Sequence, residues 1–303
     1  MKFVIVGAGG VGGNIGARLI EAGHGVAWLA RGRNLAALRA GLLLESPLGN
    51  LELGAQEASD DARRLAPPDA VIVAVKMYSL AALAAHLAPL AARGTLFLPL
   101  QNGIEAHSVL SAALPQAQVV KGMASTKSQL AAPGRVVCKS GFCRMRIGGH
   151  ASTEALASAL NSGKGLTATV SQAIDADLWR KFVMLASFSA VSCLARATIG
   201  QVLENAASRA LLLDAVAEAA RVGRACSVDL PSDVAELVDS QVKDLPRDGR
   251  PSMLEDLEGG RPLELEFLSG AVVRLGAARN VPTPIHDFAR RALAMHAQGT
   301  IHP

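Results

Sequence analysis

The sequence predicts an α/β chain in two domains: a doubly wound parallel sheet over residues 1–170, then an all-helical domain over 171–303. Three observations carry this expectation. Short apolar runs alternate with alanine-rich helical stretches up to about Lys121. A glycine-rich turn, GAGGVG, directly follows the first apolar run. From about Ile174 onward the apolar spacing is helical, in long segments broken at Pro231, Pro246, Pro251 and Pro262. A chain of 303 residues suits two domains, because single cores stop growing near ~250 residues.

Taken in order, Phe3 to Val6 is a β-branched run ending at Gly7, and Val26 to Leu29 is a second. Ala70 to Val75 (AVIVAV) is continuous and apolar, as a parallel strand covered on both faces must be. Thr95 to Leu98 reads as a further strand, with Leu80 to Ala92 as a helix between them. Pro133 and Gly134 mark a turn, and the flanking segments Arg135 to Lys139 and Arg144 to Ile147 are expected to extend the sheet as antiparallel edge strands. Leu203 to Ala225 has the spacing of a buried helix.

Half of the residues are hydrophobic but only 3% are aromatic, so Ala, Val and Leu must fill the core. The formal net charge of +4, with both signs interspersed, fits an anionic small ligand and excludes the basic stripe of a nucleic-acid partner. Cys138, Cys143, Cys193 and Cys226 form no CxxC pair and match no zinc spacing, so buried free thiols in a reducing compartment are expected, and no metal. The opening MKFVIVGAGG is too short for a secretory signal, and no apolar run nears the ~20 residues of a membrane span. A soluble, cytoplasmic protein with no membrane partner is the expectation. The alanine-rich helical half leaves room for a homodimer face.

GAGGVG places glycines at Gly7, Gly9 and Gly12, after a strand and before a helix. Gly7 permits a tight turn, Gly9 lets backbone approach a pyrophosphate, and Gly12 lets helix and strand pack closely. The helix start then presents N–H groups and a positive dipole end to the phosphates. This Rossmann-type fingerprint makes Gly7, Gly9, Gly10, Val11 and Gly12 candidate cofactor-binding residues. An acidic residue about 20 positions on would hold the ribose hydroxyls of NAD. That place is taken by Arg31, with Arg33 close by. A guanidinium binds a 2′-phosphate that a carboxylate would repel, so NADPH is the expected cofactor.

Several motifs in order resemble the ketopantoate reductase (2-dehydropantoate 2-reductase) family. They are GAGGVGG, VAVKMYSL around Lys76, LQNGIE around Asn102, WRKF around Lys181, SMLEDLEGGRPLELEFLSG and the closing VPTP. The resemblance spans nearly the whole chain. It implies a Rossmann domain, a helical domain, an active site in the cleft between them, and reduction of a 2-oxo acid to a 2-hydroxy acid by NADPH. It places the catalytic lysine at Lys181, the substrate-binding glutamate at Glu264 and a substrate-contacting serine at Ser252. Lys76 and Asn102 close over the nicotinamide side, Asn102 also contacting substrate. Hydride addition to a ketone leaves negative charge on oxygen, which is why a proton donor such as Lys181 is needed. Cys193 and His286 have no such support and read as a core thiol and a surface imidazole.

The chain departs from the family at three positions. Positions four and eight beyond Lys181 lie on roughly its own helix face. There the family commonly has asparagines that bind substrate, and this chain has Leu185 and Ser189. Ser269 likewise replaces an asparagine. Ser189 remains a candidate substrate contact in a wall that is more apolar. Three functions are compatible with these residues: 2-dehydropantoate reduction in pantothenate biosynthesis, reduction of a different and less polar 2-oxo acid, or NADPH binding without catalysis. Pure binding needs neither Lys181 nor Glu264.

Overall fold

The computed structural model describes residues 1–242 and 245–299. The chain packs as two units, Met1–Gln101 with Glu105–Ile174, and Asn102–Ile104 with the chain from Asp175 onward. The first unit begins with β1 (Lys2–Val6), α1 (Gly10–Glu21), β2 (Gly25–Leu29), α2 (Gly32–Ala40), β3 (Leu42–Glu45), β4 (Leu51–Leu53) and β5 (Ala58–Ser59). It continues through β6 (Ala70–Val73), α3 (Met77–Ala84), β7 (Leu96–Pro99), α4 (Ala106–Ala113) and β8 (Gln118–Val119). Its last elements are β9 (Gly122–Ser125), β10 (Ser128–Ala132), β11 (Arg135–Cys138), β12 (Cys143–Gly148), α5 (Thr153–Asn161) and β13 (Leu166–Ser171).

Six strands form one sheet in the order β5-β2-β1-β6-β7-β8, and every pairing in it is parallel. The chain leaves β1 toward β2 and β5, then returns to β6 on the other side of β1. The strand order thus reverses at the carboxyl ends of β1 and β6, the place where doubly wound sheets bind ligands. β6 and β7 are buried along their whole length, as their unbroken apolar runs require.

The strands after Lys121 do not extend this sheet as antiparallel edges. β11 lies in a separate four-stranded sheet, β10-β11-β3-β4, where it runs parallel to β3. β12 lies in a three-stranded sheet, β13-β12-β9. The physical reason is visible in β12, where Cys143, Met145 and Ile147 are buried while Arg144 and Arg146 are exposed. Such alternation suits a sheet covered on one face, whereas the central sheet needs strands apolar on both. Residue 170 lies in β13, four residues before Ile174, where the first unit ends.

The second unit contains α6 (Ile174–Ala195), α7 (Ile199–Glu204), α8 (Ala206–Ala225), α9 (Val234–Val242), α10 (Ser252–Glu258), α11 (Ser269–Ala278) and α12 (Pro284–Leu293). α6 is long and apolar enough to cross a membrane by length and composition, although charges interrupt its sequence. Its window of mean hydropathy 1.3 is 67% buried inside the protein, as a core helix is. Phe182, Val183, Ala186 and Val191 on α6 pack into the apolar core with Leu212, Val216 and other helices.

Helix starts leave N–H groups without intrahelical partners, and α7 and α12 satisfy theirs in different ways. α7 has a capping box, in which Thr198 Oγ1 accepts from Gln201 N and Gln201 Oε1 accepts from Thr198 N at 2.9 Å. α12 has no cap of its own. Glu218 of α8, buried, accepts from Ile285 N at 3.0 Å and His286 N at 2.9 Å. Burial raises the Glu218 carboxyl above its ordinary value, with the two backbone bonds opposing the rise. Glu218→Ala is expected to leave one buried and one half-buried N–H group unpaired and to cost about 3 kcal/mol. Urea unfolding checks this, and a loss below about 1 kcal/mol would rule out the cap.

Candidate active site

In the first unit the glycine turn leads from β1 into α1 at the sheet's reversal point. Gly7 has φ +98°, a left-handed conformation that favours glycine. A Cβ there would also lie 2.8 Å from Val75 Cγ1, so the turn is pressed against the end of β6. A Cβ on Gly12 would overlap the carbonyl oxygen of Gly7, and one on Gly10 the carbonyl of Ser128. Gly9 is different, because no other atom lies within 4 Å of its Cβ position. The turn is therefore tight at Gly7, packed at Gly10 and Gly12, and open at Gly9. Val11 follows in the first turn of α1, which has no side-chain cap.

The other predicted residues of this unit lie at the ends of neighbouring parallel strands. Arg31 is the N-cap residue of α2, two positions after β2 ends, and both it and Arg33 are exposed. Neither has an ion-pair partner among the described residues. Lys76 is the N-cap residue of α3, directly after Val75, and is half-buried. Gln101 escaped the sequence reading. Its Nε2 donates to Val73 O at 3.0 Å, while its buried Oε1 has no partner. The motif LQNGIE contains Gln101, but its burial beside the end of β6 is a tertiary fact. An open glycine turn, a helix start and two exposed guanidinium groups fit an anionic dinucleotide, and the orphaned Gln101 oxygen fits a hydrogen-bond donor on such a ligand.

The second unit assembles a different group. Lys181 on α6 is half-buried, and its Nζ donates to Asn102 Oδ1 at 3.2 Å. Asn102 belongs to the short segment Asn102–Ile104 that packs with the helices. Next in that segment, Gly103 has φ +94°, and a Cβ on it would meet Phe267 O at 3.1 Å. Phe267 closes the 3-10 turn Leu265–Phe267 that follows Glu264, whose carbonyl accepts from Phe267 N and Leu268 N, each at 3.0 Å. Asn102 and Gly103 thus join Lys181 to the segment that carries Glu264. Glu264 is only 3% exposed, where a surface charge on a helix would be open to water.

The remaining candidates are distributed less evenly. Leu185, one turn beyond Lys181, is half-buried against the helical core. Ser189, one turn further, is fully buried, and its Oγ has no hydrogen-bond partner. Ser252 is exposed at the start of α10, with no described hydrogen bond to Lys181, Asn102 or Glu264. Ser269 is buried, with Oγ 3.3 Å from His286 Nδ1. His286 is not a surface imidazole but wholly buried, and burial pushes its pKa down to about 4. The signal was the inward stripe His286, Ala289 and Leu293, while Phe288 faces outward. Cys193 is a core thiol, pushed up to about 12 by burial. All four cysteines are free, with Cys226 half-buried.

Comparison with known proteins covers both units. Residues 3–151 match the family described as ketopantoate reductase PanE/ApbA, and residues 173–297 match its C-terminal part. The 2-dehydropantoate 2-reductase of Mesorhizobium japonicum is 30% identical over 313 residues, spanning 95% of each chain. A PanE/ApbA family ketopantoate reductase from Ralstonia eutropha has a crystal structure with TM-score 0.90 at 28% identity, covering 98% of each chain. D-mandelate dehydrogenase in its ternary structure with NADH and anilino(oxo)acetate has TM-score 0.87 at 21% identity, covering 98% of each chain. That last likeness is one of fold. With both parts of the family matched along most of its length, the chain belongs to the ketopantoate reductase PanE/ApbA family of oxidoreductases.

Proposed function

We propose that this protein reduces a 2-oxo acid to the 2-hydroxy acid with NADPH, and that 2-dehydropantoate, giving pantoate for pantothenate biosynthesis, is its substrate. The observation that carries the proposal is the Lys181 Nζ bond to Asn102 Oδ1. It holds a half-buried ammonium beside the segment of a buried glutamate, an arrangement that cofactor binding alone does not need.

Bound NADPH would supply a hydride to the carbonyl carbon. As that C–H bond forms, the π pair of the carbonyl moves onto oxygen, and the Lys181 ammonium gives that oxygen a proton. Asn102 occupies one of the three ammonium N–H groups and so orients the others. Glu264 orients the lysine or accepts a hydrogen bond from substrate. A positioned general acid is worth ~10²–10⁴ in rate. In the cofactor region, Arg31 and Arg33 supply the charge that a 2′-phosphate needs, and the open backbone at Gly9 admits the pyrophosphate.

A second reading, a less polar 2-oxo acid, is favoured by the side chains around the helix that carries Lys181. Leu185 offers no hydrogen bond, and Ser269 is engaged with His286. Ser189 is wholly enclosed, so its unpartnered hydroxyl meets a ligand only if the wall in front of it moves. A site without a partner for a substrate hydroxyl discriminates weakly against analogues that lack one.

Three measurements test these proposals. Arg31→Asp is expected to weaken NADPH binding by about tenfold or more while changing NADH binding much less, since one charge-assisted contact has gone. An unchanged preference between the two cofactors removes Arg31 from that role. Lys181→Ala is expected to cut turnover by about 10² or more and leave NADPH affinity nearly intact. Turnover near the wild-type value on the best 2-oxo acid refutes the proton-donor assignment. Finally, kcat/KM for 2-oxoisovalerate is expected to lie within about tenfold of that for 2-dehydropantoate if the apolar wall governs specificity. A preference for 2-dehydropantoate of about a thousandfold or more would instead establish the hydroxyl-reading substrate.

A further inference from the structure

His286 lies at a junction of four helices. Its Nε2 is 3.3 Å from Ala215 O on α8 and 3.4 Å from Ser187 Oγ on α6, and its Nδ1 is 3.3 Å from Ser269 Oγ on α11. The network assigns the protons. A carbonyl oxygen can only accept, so Nε2 carries the hydrogen that points to Ala215. Burial keeps the ring neutral at pH 7, which leaves Nδ1 as a lone pair for the Ser269 hydroxyl to donate to. Ser187 donates its own hydrogen to Val183 O at 2.8 Å, so its oxygen shares the single Nε2–H with Ala215 O in a three-centre bond. The imidazole itself is fixed from behind, because its backbone N–H donates to Glu218 at 2.9 Å. Every polar atom of the ring has a partner, and each partner sits on a different helix from the ring.

The two serines are the informative ones. Ser187 is on the helix that carries Lys181, six residues further on, which is ~9 Å along the axis and on another face. Ser269 begins α11, directly after the turn whose backbone bonds to the Glu264 carbonyl. We infer that His286 is a positioning residue, which sets the rotation of α6 and the seat of the Glu264 turn so that Lys181 and Glu264 face the same substrate. The inference rests on the reading of Lys181 and Glu264 given above. Its magnitude follows from geometry. Side-chain atoms lie ~5–6 Å from a helix axis, so a rotation of about 10° moves them about 1 Å. A misplacement of that size can cost on the order of 10² in rate.

The test compares His286→Leu, His286→Gln, Lys181→Ala and the double variant Lys181→Ala/His286→Leu, using NADPH and the 2-oxo acid with the highest kcat/KM. His286→Leu is expected to lower kcat by about 10–100-fold with KM and NADPH affinity little changed, because only transition-state alignment is lost. His286→Gln keeps one donor and one acceptor and is expected to restore most of that loss. Because His286 acts through Lys181 as well as Glu264, His286→Leu is expected to cost much less in the Lys181→Ala background than in the wild type. A folded His286→Leu enzyme with wild-type kcat, or losses that multiply in the double variant, overturns the inference. Should His286→Leu fail to fold, Ser187→Ala removes the α6 end of the network alone and carries the same comparisons. Wild-type turnover in Lys181→Ala, where His286 is intact, refutes the catalytic reading itself and the inference with it.

Discussion

The close approach of α1 to the strands around it is the constraint on which the first unit depends. Side chains at Gly12 and Gly10 would collide with the carbonyls of Gly7 and Ser128, and side chains at Gly13 and Gly16 with Val136 and Trp28. The helix therefore lies with its backbone against neighbours that belong to the six-stranded sheet and to the separate sheet carrying β10 and β11. This packing brings its first turn to the point where the strand order reverses. The N–H groups there have no side-chain cap, which is the condition under which a helix start can receive an anion. The same contact that packs this unit leaves the start of α1 open to a ligand.

The helical unit solves a different problem with polar groups. Its core is almost entirely apolar, yet it encloses Glu218, His286, Ser187 and Ser269. Buried polar groups are costly unless paired, and these four pair with one another or with backbone. An apolar interface between helices allows small rotations, whereas hydrogen bonds of fixed direction do not. That is why the polar junction, and not the surrounding leucines and valines, can set where α6 points its half-buried lysine.

Family membership and substrate choice draw on different residues. The family is shown by matches along both units, and the roles proposed for the glycine turn, Lys76, Asn102, Lys181 and Glu264 are those that cofactor binding and carbonyl reduction require. Leu185, Ser189 and Ser269 depart from those motifs. None of the three has a charge, so on the proposed reading they bear on substrate choice and not on the proton transfer. A chain can keep its chemistry while its specificity drifts in this way, because hydride acceptance needs one proton donor and substrate recognition needs many smaller contacts.

The sequence by itself determined the central strands, the glycine turn and the division into an α/β half and a helical half. These depend on short-range patterns: unbroken apolar runs, glycine spacing and helical periodicity. It misread β11 and β12, because a strand's partner is chosen by packing over long separations, and β11 pairs with β3 from far earlier in the chain. It misread His286 for a related reason. A single imidazole in a sequence carries no sign of burial, and only helices α6, α8 and α11 closing around α12 remove it from water. The meeting of Lys181 with Asn102, 79 residues apart, was likewise decided by the tertiary structure. Local patterns set which elements form, but long-range packing alone sets which polar groups lose their water and must find each other.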